Sequence, residues 1–242
     1  MKTGMLKSFA VLILIIHCAA TIAYAAVSVD NLSLVLTAKY KANPIFGTVR
    51  AAESGLPLHS GSVSLNGQSA PIKDGHFTLA EVPLGRHTLQ ITGPYRQPTT
   101  VTITVEPGLN RFDLQIGSSF SQEEIDALAR ITRAEAEGEA AAGKAAVAAT
   151  VLNRVKSERY PATIIGVIYQ RINGRYQYSP VADGRINLPP RPEDYQAAFQ
   201  ALAGFDPSNG ATGFFNPAKT SDRWVRSHPV TAVIDRHTFF RY

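Results

Sequence analysis

The chain has 242 residues, a formal net charge of +5 at pH 7 and a single cysteine, Cys18. Because Cys18 is the single cysteine, the chain after residue 18 contains no thiol. Disulfide bonds, a thiolate nucleophile and a cysteine-ligated metal are therefore excluded there. The basic residues form no block or stripe of the kind that nucleic-acid-binding proteins carry, so no nucleic-acid partner is predicted.

The first 25 residues have the order of a secretory signal peptide. Lys2 and Lys7 precede an apolar run from Phe9 to Ile16, and Ala23-Tyr24-Ala25 supplies a small-x-small cleavage site. The run is shorter than the roughly 20 apolar residues of a bilayer span, and no later segment is more apolar. We expect residues 1–25 to be removed and the protein to be exported to the periplasm, cell wall or extracellular space, without a stable membrane span. An uncleaved anchor is the alternative.

Residues 26–117 alternate between apolar and polar side chains in short runs. Asn66-Gly67 and Asp74-Gly75 separate two such runs, and both are hairpin signals because a type I′ turn needs positive φ at its two central positions. Further period-2 stretches are His87–Ile91, Val101–Val105 and Phe112–Ile116. Since no helical pattern interrupts them, the segment predicts a small antiparallel β-sandwich.

Part of this segment resembles carboxypeptidase-regulatory-like or PEGA-type modules. The matching stretches are Phe46-Gly47-Thr48-Val49, Asp74-Gly75-His76-Phe77 and Val82-Pro83-Leu84-Gly85. The resemblance implies a non-catalytic accessory module, a spacer or an adhesion domain. The histidines at 59, 76 and 87 have no metal-ligand spacing.

A helix is predicted to begin at Ser121 and to run toward Gly138. Ser121-Gln122-Glu123-Glu124 has the sequence of a capping box. Ile125, Leu128 and Ile131 share one face of this helix at 100° per residue. A second helix is predicted for Lys144–Val155, where small alanines allow close packing in a core.

Glu135 projects from the middle of the apolar face of the first helix, whereas Glu137 points to the opposite side. Glu139 returns to the apolar face if the helix continues past Gly138. On such a face the ionised form of a carboxyl group is poorly solvated, so the pKa of the group should rise. A raised pKa is what a glycosidase acid requires. The alternative is an ordinary glutamate at a helix end, paired with Arg130 or exposed.

The second half of the chain resembles the catalytic domain of SleB/CwlJ-type cell wall hydrolases, the family of the spore cortex-lytic enzymes. The matching stretches, in family order, are 134–139 (AEAEGE), 147–155 (VAATVLNRV), 160–161 (YP), 166–170 (GVIYQ), 178–184 (YSPVADG), 204–207 (GFDP), 215–217 (FNP) and 237–239 (HTF). For residues 118–242 the resemblance implies a mainly helical, lysozyme-like or lytic-transglycosylase-like domain. The fold class of the whole chain is then α+β.

Residues 134–139 match the family's glutamate box, except that this chain has Ala134 where the family usually has glycine. The resemblance implies that Glu135 is the catalytic acid and that Glu139 supports it or orients the substrate. It also implies cleavage of the MurNAc–GlcNAc bond of peptidoglycan glycan strands, with one carboxylate acting as acid and then as base. A hydrolytic scheme needs a second carboxylate, for which Asp183 and Asp194 are the candidates.

Sugars stack on aromatic rings and hydrogen-bond to amides and hydroxyls. On that basis the predicted glycan-binding residues are Tyr169, Gln170, Tyr178, Ser179 and Trp224. A core position is the alternative for Trp224 and for the pair Phe214-Phe215. The sequence leaves open whether the substrate is spore cortex or vegetative wall, and which protein partner, if any, the chain has.

Other functions are less well supported. There is no His-Glu-x-x-His motif, His228 and His237 stand alone, and no Gly-x-Ser-x-Gly elbow occurs. No metal and no cofactor are therefore predicted. The remaining alternative is a non-catalytic wall-binding or scaffold protein with an inactive hydrolase fold.

Overall fold

The computed structural model describes residues 43–242 of the chain. The predicted signal peptide lies outside these residues. Within them, no helix combines the length and the apolar character needed to cross a membrane. The described residues form an N-terminal β-unit and a mainly helical C-terminal part, which agrees with the predicted α+β class.

The β-unit contains seven strands. They are β1 (Asn43–Ala51), β2 (Ser60–Leu65), β3 (Gln68–Lys73), β4 (His76–Val82), β5 (Gly85–Thr92), β6 (Thr99–Val105) and β7 (Asn110–Ile116). Their order across the hydrogen-bonded sheet is β6-β5-β2-β3-β4-β1-β7. Alternate residues of the strands point inward, as on β1, and build one apolar core.

Both predicted hairpin turns are present. Asn66 and Gly67 have φ of 50° and 81°, and Asp74 and Gly75 have φ of 48° and 81°, which are the positive values that a type I′ turn needs. After the second turn, β3 and β4 pair only at Lys73 and His76.

The expectation of a purely antiparallel arrangement was wrong in one place. β7 pairs with β1 in parallel, from Ile45 opposite Asn110 to Ala51 opposite Ile116, while β1 pairs with β4 antiparallel. A period-2 pattern reveals which side chains face inward but not which strands become neighbours. The parallel contact between the first and last strands of the unit was therefore not visible in the sequence.

The C-terminal part contains six α-helices and five short strands among the described residues. The helices are α1 (Gln122–Ala136), α2 (Ala141–Lys156), α3 (Ile164–Ile168), α4 (Ser179–Asp183), α5 (Pro192–Leu202) and α6 (Arg223–Arg226), and a 3₁₀ turn spans Arg185–Asn187. The strands are β8 (Arg171–Ile172), β9 (Arg175–Tyr176), β10 (Gly213–Phe215), β11 (Val230–Ile234) and β12 (His237–Phe240). β12 lies between β10 and β11 in a three-stranded sheet.

The two predicted helices are confirmed. At the start of α1, Ser121 Oγ accepts from the Glu124 N–H at 3.2 Å, and Glu124 Oε2 accepts from the Ser121 N–H at 3.2 Å, which completes the capping box. α2 is longer than predicted and is buried along most of its length. Its alanines let α1 and α5 pack closely against it.

One arginine joins the β-unit to the helical part. The Arg96 side chain is 0% exposed; it donates to Glu53 Oε1 at 2.6 Å within the β-unit and to the Leu202 carbonyl at the end of α5 at 2.7 Å. Beside it, the His59 N–H donates to the Ala203 carbonyl at 2.8 Å. The two parts are therefore held by a buried charge and backbone hydrogen bonds rather than by a free linker.

We predict that Arg96→Leu lowers the free energy of unfolding by about 3 kcal/mol, because it leaves the Glu53 carboxylate largely buried without a counter-charge. Denaturant unfolding followed by circular dichroism measures the change. Arg86→Leu, at an exposed position on β5, is the matched control and should change stability by less than about 0.5 kcal/mol. Equal stability of the two variants would contradict the role of Arg96.

Candidate functional site

The last turn of α1 places Glu135 at the wall of a cavity. Leu128 and Ile131 of the same face are fully buried, Glu135 is half-buried and Glu137 is exposed. This is the separation that the helical phase predicts. The cavity has a volume of about 510 Å³ and is lined by residues of α1, α4 and the C-terminal sheet.

The Glu135 carboxyl has no hydrogen-bond donor among the described residues. Burial raises its pKa from 4.5 to about 7, against the opposing positive charge of Arg185; Asp183 raises it further, and Arg154 and Lys219 lower it. The carboxyl is therefore partly protonated at neutral pH, and it faces the cavity.

The alternative for Glu135, pairing with Arg130 or full exposure, is contradicted. The Arg130 guanidinium donates instead to the carbonyls of Asn187 at 3.2 Å and Leu188 at 3.3 Å. Glu135 is thus not an ordinary ion-paired residue at a helix end.

Glu139 lies after the end of α1 and is held by the turn between β11 and β12. Its side chain is 3% exposed and accepts from Arg236 at 2.7 Å, and the Arg236 N–H adds a bond of 3.1 Å. In the same turn, Asp235 Oδ2 accepts from the Ala140 N–H at 2.9 Å. We call these four residues, Glu139, Ala140, Asp235 and Arg236, the clasp.

The clasp gives Glu139 the opposite electrostatic character to Glu135. Burial alone raises the pKa of Glu139, but the hydrogen bonds from Arg236 and the nearby charges of His237 and Arg236 outweigh it, so the pKa is lowered. Glu139 is therefore a buried carboxylate that stays ionised. This fits a supporting role better than proton donation.

The opposite wall of the cavity comes from the C-terminal sheet. Phe214 and Phe215 of β10 are half-buried and line the cavity, as does the buried His237 of β12. Phe214 meets the His237 ring edge-on at 5.2 Å between centroids. Burial lowers the pKa of His237, which favours its neutral form. The two phenylalanines, for which the sequence left a core position open, belong to the cavity wall.

Sequence reasoning missed Arg154, which lies buried near Glu135. Its guanidinium packs over the rings of Tyr178 at 5.0 Å and Tyr160 at 5.3 Å, and its Nε donates to the Thr212 carbonyl at 2.6 Å. The available signal was a charged residue near the end of a largely buried helix, which is also typical of a cap or salt-bridge group.

The predicted glycan-binding residues are only partly brought together. Ser179 lines the cavity beside Glu135. Tyr178 is 3% exposed, is not part of the cavity lining and packs against Arg154. Tyr169, 44% exposed, and the half-buried Gln170 are not in the cavity lining. Trp224 is 61% exposed, so the alternative of a core position is wrong, and it packs on His228 at 4.5 Å rather than lining the cavity.

The two candidate second carboxylates are both engaged. Asp194 is fully buried, pairs with Lys144 at 2.6 Å and accepts from the Arg191 N–H at the start of α5. Asp183 is exposed and takes two hydrogen bonds from the Arg185 side chain, at 2.9 and 3.0 Å. These bonds lower its pKa.

Comparison with known families defines the class of the C-terminal part. A family model described as Cell Wall Hydrolase matches residues 138–240. These residues therefore form a domain of the cell wall hydrolase family. The match begins three residues after Glu135.

Individual proteins that this chain resembles include spore cortex-lytic enzymes. The chain is 36% identical over 124 residues to the spore cortex-lytic enzyme of Halalkalibacterium halodurans, covering 51% of this chain and 36% of the relative. It is 35% identical over 120 residues to that of Bacillus subtilis, covering 50% and 38%. The catalytic domain of the germination-specific lytic transglycosylase SleB from Bacillus anthracis aligns over 51% of this chain and 98% of its own, with 35% identity and a TM-score of 0.47. The chain thus spans well under half the length of these two curated relatives.

We predict that Glu135→Gln is more stable than the wild type above pH 7, by up to about 3 kcal/mol. The folded state binds the Glu135 proton more tightly than the unfolded state, so ionisation between pH 4.5 and 7 destabilises the wild type but not the amide. The gain should therefore shrink as pH falls from 7 to 4.5, as urea unfolding across that range can show. Glu158→Gln, at an exposed position, is the control; a pH-independent gain would argue against the raised pKa.

A second prediction concerns the clasp. Arg236→Gln should lower the free energy of unfolding at pH 7 by about 2 kcal/mol, since the Glu139 carboxylate loses its ion pair and keeps the backbone N–H of position 236. Because the pKa of Glu139 is lowered in the folded state, this stabilisation is present above pH 4.5 and is lost as pH falls through the folded pKa.

The double variant Glu139→Gln/Arg236→Gln should recover part of the stability that Arg236→Gln loses at pH 7. Arg175→Gln, at an exposed position on β9, serves as the control. If the single and double variants unfold at the same urea concentration, the clasp is not electrostatic.

Proposed function

We propose that residues 118–242 form a peptidoglycan-degrading glycosidase that cleaves the MurNAc–GlcNAc bond, with Glu135 as its acid and base. The observation that carries the proposal is the half-buried Glu135 carboxyl, which faces a cavity, has no hydrogen-bond partner among residues 43–242 and has a pKa of about 7. A general acid works best when its pKa lies near the working pH. The cell wall hydrolase match of residues 138–240 supports the substrate class.

The chemistry follows from the two protonation states of one group. Protonated Glu135 donates to the glycosidic oxygen as the bond to the anomeric carbon breaks. The resulting carboxylate then removes the proton from the C6 hydroxyl of the same muramic acid ring, and that oxygen bonds to the anomeric carbon. The products are a 1,6-anhydromuramic end and a new sugar hydroxyl, and Glu135 recovers its proton.

A single-carboxylate route is favoured over two-carboxylate hydrolysis by the state of the other acids. Asp194 forms an ion pair with Lys144, and Asp183 accepts two hydrogen bonds from the Arg185 side chain. Glu139 is bound by Arg236. Each of these carboxylates already accepts hydrogen bonds from a basic residue, whereas Glu135 accepts none from the described residues, and this difference favours Glu135 as the acting group.

Beyond the cavity, we propose that Ser179 contacts the sugar nearest Glu135, that Tyr178 holds the wall beneath it, and that Tyr169, Gln170 and Trp224 meet sugars further along the strand. We also propose an exported protein with a signal peptide at residues 1–25, and an accessory β-sandwich module at 26–117. The burial of Arg96 between the two parts supports a module that presents the hydrolase domain rather than a flexible spacer.

The test is digestion of purified peptidoglycan by the wild type, Glu135→Gln and Glu158→Gln, with mass spectrometry of the released fragments. We expect anhydromuramic products from the wild type and the control. Glu135→Gln should reduce the rate at least about 1,000-fold, because it removes the only proton donor and base in the scheme. Zymography with the same three proteins gives an independent reading.

Each contrary outcome has a separate meaning. Reducing-end muramic acid without anhydro products would overturn transglycosylation and restore hydrolysis. Equal clearing by the wild type and Glu135→Gln would overturn the catalytic assignment. No cleavage by the wild type, together with retention on peptidoglycan, would favour the wall-binding alternative.

A further inference from the structure

The charged groups around the cavity are almost all neutralised within the protein. Arg185 is bound by Asp183 and by the Ala134 carbonyl at 2.9 Å. Arg236 is bound by Glu139, and Glu137 by Arg191 at 2.6 Å. Among the described residues that line the cavity, Glu135 and Lys219 are the two ionisable groups that these pairings leave without an opposite charge.

Lys219 lines the cavity, and its ammonium has no ion-pair or hydrogen-bond partner among residues 43–242. Its charge acts on both Glu135 and His237, whose pKa values it lowers. Glu135 does not serve as the counter-charge while it holds its proton, since a protonated carboxyl is neutral. Lys219 is therefore the cation of the cavity lining that no acid among residues 43–242 balances; Arg154, which also acts on Glu135, lies outside the lining over two tyrosine rings.

The turn that carries Lys219 is held from two sides. Asn216 caps it from the cavity side, where its Oδ1 accepts from the Ala218 N–H at 2.9 Å and its carbonyl accepts from the Lys219 N–H at 2.9 Å. On the outer side, the Arg226 guanidinium donates to the carbonyls of Pro217 at 2.6 Å and Thr220 at 2.8 Å. These bonds fix the backbone on both sides of Lys219, so the exposed lysine is held at the rim of the cavity that it lines.

We propose that Lys219 binds a carboxylate of the muramic acid unit at the cleavage site, and so selects substrates that carry one there. This rests on the proposed function and adds a specificity determinant to it. The lactyl group of muramic acid, on the ring whose anomeric bond is broken, ends in a carboxylate when no peptide is attached. When a stem peptide is attached, the peptide supplies the carboxylates instead.

The test compares three substrates: intact peptidoglycan, peptide-free glycan strands with free lactyl carboxylates, and peptide-free strands whose carboxylates are capped as methylamides. Lys219→Gln is assayed beside the wild type, Glu135→Gln and the control Lys73→Gln, which changes an exposed lysine of β3. Assays at pH 6 keep Glu135 mostly protonated in the wild type and in Lys219→Gln, because removing the lysine only raises the Glu135 pKa further.

We expect Lys219→Gln to raise KM about five-fold, the size of a partly exposed ion pair, on the substrates that carry the recognised carboxylate. Its effect should vanish on capped strands and leave kcat nearly unchanged. An effect on free-lactyl strands identifies the lactyl carboxylate, and an effect confined to intact peptidoglycan identifies the stem peptide. Arg226→Gln, which releases the turn, should show the same substrate pattern more weakly.

An equal effect of Lys219→Gln on capped and uncapped substrates, or no effect on any, overturns the carboxylate site. A fall in kcat on all three substrates assigns Lys219 to tuning Glu135 and also overturns it. These results leave the proposed function intact as long as the wild type cleaves and Glu135→Gln does not. If the wild type cleaves none of the three, the proposed function itself fails.

Discussion

The arrangement of the site depends on the clasp, in which the turn between β11 and β12 hydrogen-bonds to the segment that connects α1 and α2. Helix α2 begins after Ala140, which has no side-chain oxygen to cap its own helix. The cap comes instead from Asp235, 95 residues further along the chain, while Arg236 of the same turn holds Glu139. Two long-range contacts therefore set the direction in which the chain leaves α1 and enters α2, and with it one wall of the cavity. Gly138 suits this arrangement because a side chain there would overlap the Arg236 guanidinium.

The contrast between Glu135 and Glu139 shows how the same side chain acquires different chemistry four residues apart. Both lose water contact on folding, which by itself favours the neutral form. Glu139 regains the lost solvation through N–H groups of Arg236, whereas Glu135 meets an open cavity with apolar rings opposite. At Glu139 the hydrogen bonds from Arg236 and the nearby charges outweigh the effect of burial on the pKa, whereas at Glu135 burial is the largest effect and no hydrogen bond from the described residues opposes it. This explains why one acid of the sequence box has a raised pKa and the other a lowered one.

The sequence was sufficient for features that depend on local periodicity and turn chemistry. The capping box at Ser121, the inward phase of Glu135 and the turns at Asn66-Gly67 and Asp74-Gly75 involve residues within a few positions of one another. What escaped prediction involves partners far apart in sequence: β7 beside β1, Arg96 reaching Leu202, Arg154 under Tyr178 and the burial of Asp194 by Lys144. A residue such as Arg154 looks the same in a sequence whether it ends on the surface or over two tyrosine rings. Only the fold decides which.

A carboxyl group with a pKa of about 7 is half occupied by its proton at neutral pH. In a route where one group must first give a proton and then take one back, neither form is scarce under these conditions. A carboxyl left at its ordinary pKa of 4.5 would hold a proton in fewer than about one molecule in a hundred at pH 7. The burial of the last turn of α1 thus raises the fraction of molecules that hold this proton at pH 7 by more than about fifty-fold. It does so without adding any residue to the site.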